Sequence, residues 1–206
     1  MRQSQFWSVA QQARDTTGPP NMSGYHIIAG TITSNPSPTM EIVTMTPNEV
    51  IAAGYRMGQK MVHGFVDDLT ADEFRHQPLG GANCAAWIVG HLAVIVRRSA
   101  ERLGAPDLPV LTEEFVGRFG QTKKPAGVQT KLGEKGELLA LFDVSVEKLI
   151  DAVLKLPPEA LTRPAPPTVR LANNSGEALL FGSLHISMHS GQLSTIRRSL
   201  GKPPVM

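Results

Sequence analysis

The chain has 206 residues, enough for one core of about 150 residues with an appendage and tight for two full domains. Apolar residues make up 41% and charged residues 18%, and a formal net charge of +2 is too small to argue for nucleic-acid binding. The single cysteine, Cys84, excludes an intrachain disulfide and any CxxC redox or zinc motif, so a reducing cytoplasm is the expected compartment. No apolar run approaches the eighteen or so residues of a membrane span. The longest N-terminal one, 27–32, is too short for a secretory leader and has no basic stretch just before it.

Residues 1–45 are rich in Gln, Ser, Thr, Pro and Gly without a sustained period. They are expected to be an irregular or disordered extension ahead of a domain over 46–206. Thr46-Pro47-Asn48-Glu49 is a helix start, because Thr caps the backbone, Pro suits the first turn and Glu reaches back. The helix that follows should run to about Leu69, with Val50, Ile51, Gly54, Met57, Met61, Phe65 and Leu69 as its apolar stripe. Thr70-Ala71-Asp72-Glu73 repeats the cap for a short helix, and Asn83 should open the next long one. That helix carries Trp87, His91, Ile95 and Arg98 and ends near Gly104, with Arg97, Arg98 and Arg102 complementing its C-terminal dipole.

Residues 105–130 read as a long connection with a turn or two at Thr112 to Phe119. A third long helix is expected from about Gly133 to Lys155, with Leu138, Leu141, Phe142, Val146, Leu149, Ile150, Val153 and Leu154 facing inward. Pro157-Pro158 ends it. Asn174-Ser175-Gly176-Glu177 opens the fourth, which closes at Arg197-Arg198-Ser199-Leu200-Gly201. Four long amphipathic helices with two long connections indicate an all-α four-helix bundle, where sites form from side chains on facing helices.

His185 and His189 stand one turn apart on the fourth helix, so both imidazoles can converge on one ion. His91 interrupts an apolar run on the second helix and would complete a facial three-nitrogen site that leaves coordination positions open. The pair lacks the Glu of an HExxH protease, which disfavours peptidase chemistry. Trp87, one turn before His91, is expected in the core, with walling the metal pocket as the alternative. Gln192, one turn past His189, is expected to hydrogen-bond near the site or across to another helix. Cys84 reads as a small buried residue, Asp67-Asp68 and Lys123-Lys124 as solvated surface, and His26, His63 and His76 receive no role. Dipole complementation accounts for Arg197 and Arg198, the alternative being attraction of an anionic cofactor.

Asn83-Cys84-Ala85-Ala86-Trp87-Ile88-Val89-Gly90-His91-Leu92 and His185-Ile186-Ser187-Met188-His189-Ser190-Gly191-Gln192-Leu193 resemble the second-helix and last-helix motifs of the DinB-like metalloprotein superfamily. The resemblance covers roughly 46–204. It implies a four-helix bundle whose divalent metal is held by His91, His185 and His189. Zn or Ni is the expected ion, with Fe or Mn as further options. It also implies a metal-dependent enzyme acting on a small molecule, with thiol (S-)transfer from a low-molecular-weight thiol as the expected reaction. The alternatives are a metal-dependent hydrolase and a non-catalytic, stress-associated bundle. No catalytic base is assigned. A homodimer is expected, with neither a nucleic-acid nor a membrane partner.

Overall fold

A computed structural model describes residues 44–78, 81–120 and 131–205. The expected extension over 1–45 falls almost wholly outside them. Six α-helices follow one another: α1 Pro47–Val66, α2 Ala71–Arg75, α3 Ala85–Arg102, α4 Glu113–Phe119, α5 Lys135–Leu154 and α6 Ser175–Ser199, with a 3-10 turn at Pro158–Thr162 before α6. Among the described residues there is no strand, and Pro164 and Asn174 form an isolated bridge. The four long helices pack in the cyclic order α1, α5, α3, α6, which puts α3 beside α6 and α1 and α3 at diagonal corners.

Local chemistry starts these helices where the sequence says. Thr46 and Thr70 each form a reciprocal capping box, with Glu49 and Glu73, and Asn174 accepts from the Glu177 amide. Each such cap satisfies backbone donors that would otherwise be orphaned and contributes about 1 kcal/mol. The start of α3 differs, since Cys84, not Asn83, is the N-cap. Burial holds this helix instead, since nearly all of Ala85 to Val96 is enclosed. At the far end of α6, Gly201 takes the left-handed conformation with φ 73° that ends a helix at low cost.

The inward face of α1 is rotated from the expected stripe. Ile51, Ala52, Tyr55, Gly58, Val62, Phe65 and Val66 are buried, whereas Val50 and Met57 are exposed and the helix stops at Val66, three residues early. Close approach to α6 selects that face. A Cβ on Gly58 would come within 2.9 Å of the Ile186 side chain, so the glycine lets the two backbones draw together. Tyr55 follows the same logic, burying its ring and donating its hydroxyl to the Leu179 carbonyl of α6 at 2.9 Å. On α5 the expected face holds except that Leu154 is exposed and Leu139 and Ser145 are buried. Asn48, at the start of α1, donates to both the Val153 and Leu156 carbonyls at 2.8 Å, covering acceptors left open where α5 ends.

Asp67 and Asp68 are not a merely solvated pair. Asp67 accepts from His63 at 2.8 Å, and Asp68 receives a two-pronged ion pair from Arg197. Arg197 is itself only 4% exposed and also donates to the Phe65 carbonyl at 3.1 Å. It therefore clamps the end of α6 to the end of α1 and does more than complement a dipole. Lys123-Lys124 lies outside the described residues.

Candidate metal centre

Helix α3 brings His91 into the bundle and α6 brings His185 and His189, all three near the α3–α6 seam. Their ligating nitrogens lie within 4.8 Å of one another. His185 Nε2 is 3.2 Å from His91 Nε2 and 3.2 Å from His189 Nε2. Two nitrogens each about 2.05 Å from a tetrahedral zinc would be about 3.3 Å apart, so the spacing fits a common ion. His91 is fully buried, His189 is 6% exposed, and His185 is half-buried facing a cleft.

Each buried ring is oriented by its outer nitrogen. His91 Nδ1–H donates to the Phe119 carbonyl at 2.7 Å, and His189 Nδ1–H donates to Gln192 Oε1 at 2.8 Å. With Nδ1 protonated, both neutral rings present a bare Nε2 toward His185. His185 has one Nε2 proton at most and can satisfy only one of those two lone pairs, so a cation is the natural complement. Protonation does not supply it at neutral pH. Burial pushes His91 down to about 4, with the nearby charges of His189 and Arg98 acting the same way against the Phe119 bond. Burial, then the charges of His189 and His91, push His185 to about 4, and burial also lowers His189. The donor set is three neutral imidazoles, which suits a first-row divalent ion.

Trp87 is 9% exposed and serves both readings of its position. Its ring lies flat on His91, with centroids 4.9 Å apart and 8° between planes, while its indole nitrogen donates to the Arg118 carbonyl at 3.2 Å. Gln192 accepts from its own helix's His189; it does not bridge to another helix. Cys84 is buried and burial raises its pKa, which makes it a poor nucleophile. His76 lies at 3.2 Å from Ser199 Oγ and His63 contacts Asp67 and Asp143; neither joins the triad, and His26 lies outside the described residues.

The connection between α3 and α5 contributes what the sequence reading missed. Thr112 caps α4 by accepting from the Phe115 amide, and Phe115 and Phe119 pack one turn apart with centroids at 4.5 Å. Phe119 is fully buried against Gly90, where a Cβ would fall 2.5 Å from its ring. Gly90 thus admits α4 to the surface of α3, and α4 delivers the carbonyl that orients His91. The i, i+4 aromatic pair after a Thr cap was the available signal.

A cleft of about 640 Å³ opens from His91 and His185 toward the C-terminal half of α3. Arg98, Arg102 and Arg170 line it, together with apolar side chains such as Ile95 and Phe181, and among the described residues no Asp or Glu does. Such a volume suits a small organic ligand. The arginines lie on the cleft, whereas the role expected of Arg98 and Arg102 was helix-terminal alone.

Bundle and centre together define a helical protein with a three-histidine site that can hold a metal ion beside an open cleft. The chain belongs to the DinB superfamily, whose family model matches residues 55–193. A solved structure described as the conserved protein of locus from Enterococcus faecalis is similar in fold, with a TM-score of 0.60 at 17% identity over 77% of this chain and 100% of that one. No curated protein matches the sequence. Among the described residues, no helix is long and apolar enough to cross a membrane.

Proposed function

We propose that the chain is a metal-dependent enzyme that uses His91, His185 and His189 to hold Zn²⁺, Ni²⁺ or a similar ion and transfers a small thiol to an electrophile. The observation that carries the reading is the convergence of three neutral imidazoles on a point that opens into the cleft. A bound divalent ion supplies Lewis acidity that makes a thiol or water nucleophilic near neutral pH. Phe119 and Gln192 hold the rings of His91 and His189 in the tautomer that leaves Nε2 available. Trp87 shields one face of His91 from water. His185 stands at the border of cleft and core, so a ligand approaching the centre meets it first. Ile95 and Phe181 offer that ligand an apolar wall. Hydrolysis by the same centre is the alternative, distinguished by whether turnover needs an added thiol.

The test is elemental analysis of untagged protein and of the single variants His91→Ala, His185→Ala and His189→Ala, each checked for helix content. Near-stoichiometric metal in the parent, lost in every variant with the fold retained, is expected. Full metal retention in all three would refute the assignment, and unfolding of the parent on chelation would make the ion structural. A homodimer belongs to the same proposal. The exposed Met57 of α1 and Leu184 and Met188 of α6 are apolar surface that association would cover, and light scattering showing a monomer at high concentration would refute it.

A further inference from the structure

We infer that the arginine-lined half of the cleft binds the carboxylate or phosphate group of a small molecule whose other end reaches the histidine triad. The triad end rests on the function proposed above; the anion end stands on its own residues. His91, Ile95, Arg98 and Arg102 follow one another at intervals of four, three and four, so α3 presents them along a single face. That face reads, from the metal centre outward, as ligand nitrogen, apolar wall and two guanidinium groups. Arg170 approaches the same cleft from the segment before α6.

Charge balance separates these arginines from Arg75, Arg97 and Arg197, which also stand near helix ends. Arg97 pairs with Glu101 at 2.9 Å, Arg75 with Glu134 at 2.8 Å, and Arg197 with Asp68. Among the described residues, Arg98 and Arg170 make no ion pair, and Arg102 donates only to the Ser99 hydroxyl at 2.9 Å. Three cations without a lining carboxylate focus positive potential in a partly enclosed, partly apolar space. Guanidinium forks match planar carboxylate and phosphate oxygens better than any other side chain.

The helix supplies a ruler. Arg98 is seven residues from His91 and Arg102 eleven, which is about 10 and 16 Å along the axis. A guanidinium folding back by a few ångströms spans the remainder. The ligand is therefore small, with its anion and the atom directed at the triad about 5–10 Å apart, a span within reach of a carboxylated thiol bound at the metal. A carboxylated or phosphorylated electrophile has the same anionic chemistry.

Calorimetric titration of succinate and of inorganic phosphate into metal-free full-length protein tests the anion end. At least one of the two should bind at one per chain, weaken with added salt, and lose about tenfold or more in affinity in Arg98→Gln/Arg102→Gln. Arg170→Gln, on an exposed segment, should weaken it by about threefold or more even if the double variant fails to fold. His63→Gln, at the α1–α5 junction and off the cleft, should leave it unchanged. No saturable binding, or equal affinity in the folded arginine variants, would overturn the anion site. Metal content, measured in parallel, reports the triad separately.

The two-ended geometry is tested with zinc-loaded protein. Mercaptosuccinate should bind about tenfold or more tightly than 2-mercaptoethanol, an advantage that vanishes in Arg98→Gln/Arg102→Gln. Equal binding of the two thiols in the parent would overturn the thiol as source of the anion. Phosphate or succinate binding undiminished by saturating mercaptosuccinate would overturn the shared cleft.

Discussion

Helix α6 carries a histidine pair and an arginine into the bundle, and the two are solved in opposite ways. Near its C-terminus, Arg197 is enclosed, and its two terminal nitrogens are answered from within the chain by the Asp68 carboxylate and the Phe65 carbonyl, with only Nε left without a partner among the described residues. Two to three turns earlier, His185 and His189 turn Nε2 atoms toward His91 Nε2, and among the described residues nothing answers all three lone pairs. A buried charge paired by its own protein is architecture. Buried donors of one kind converging on a common point require a partner from outside, and that asymmetry separates a site from a clamp.

The largest expected effect breaks the contrast at the triad. His189→Ala should abolish metal binding, and Gln192→Ala, which only frees the outer nitrogen, should lower metal affinity by about 10–100-fold, read by competition with a chelator. In the metal-free protein, His185→Ala should change stability by less than about 1 kcal/mol, because it removes a half-buried ring whose nitrogen lacks a full complement. A large loss of metal-free stability would place the triad with the clamp.

The clamp gives the converse. Asp68→Ala should cost about 1.5–3 kcal/mol in denaturant unfolding, since it strips a charge-assisted pair from an enclosed guanidinium, and should leave metal content untouched. The Arg197 hydrogen bond outweighs a small burial cost, and Arg197 and Lys202 add their charge, so the Asp68 pKa is held below its ordinary 3.8. A depressed carboxylate contributes stability above the unfolded pKa and loses it as pH falls through the folded one. Acid unfolding of the parent below about pH 4 should therefore be steeper than that of the variant.

Gly90→Ala tests whether the two regions are coupled through packing. The added methyl meets the Phe119 ring at 2.5 Å, an overpacking that should cost about 1–3 kcal/mol. Because the Phe119 carbonyl orients His91, metal affinity should fall in the same variant. Lost stability with unchanged affinity would show that α4 moves without carrying the carbonyl.

What was legible in the sequence was whatever local chemistry decides. Thr46, Thr70 and Asn174 cap helices by reaching three residues along the chain, so the pattern carries its own geometry. His185 and His189 were legible for the same reason, and His91 by its place in an apolar run. What escaped depends on neighbours distant in sequence. The buried face of α1 is chosen by Ile186 and Leu179 of α6. Arg197 finds Asp68 across 129 positions. Arg98 and Arg102 had a sufficient local explanation at a helix end, which hid the cleft that they line.

The smallest effect concerns a polar junction beside the clamp and outside the triad. His63 Nδ1 faces Asp67 and its Nε2 faces Asp143, each at 2.8 Å, and Gln59 donates to the same Asp143 oxygen. Burial alone would lower its pKa, but the two carboxylate hydrogen bonds and charges outweigh burial and raise it above 6.5. A raised histidine contributes stability in full below its unfolded pKa and loses it as pH rises through the folded one. The ring is 30% exposed, which limits the contribution to about 1 kcal/mol or less. Unfolding free energy should thus decline slightly from pH 6 to 8 in the parent, and the decline should be absent in His63→Gln. Because His63 lies outside the triad, metal content should be the same in both, and a change in metal content with this substitution would mean that the α1–α5 junction and the centre are not independent.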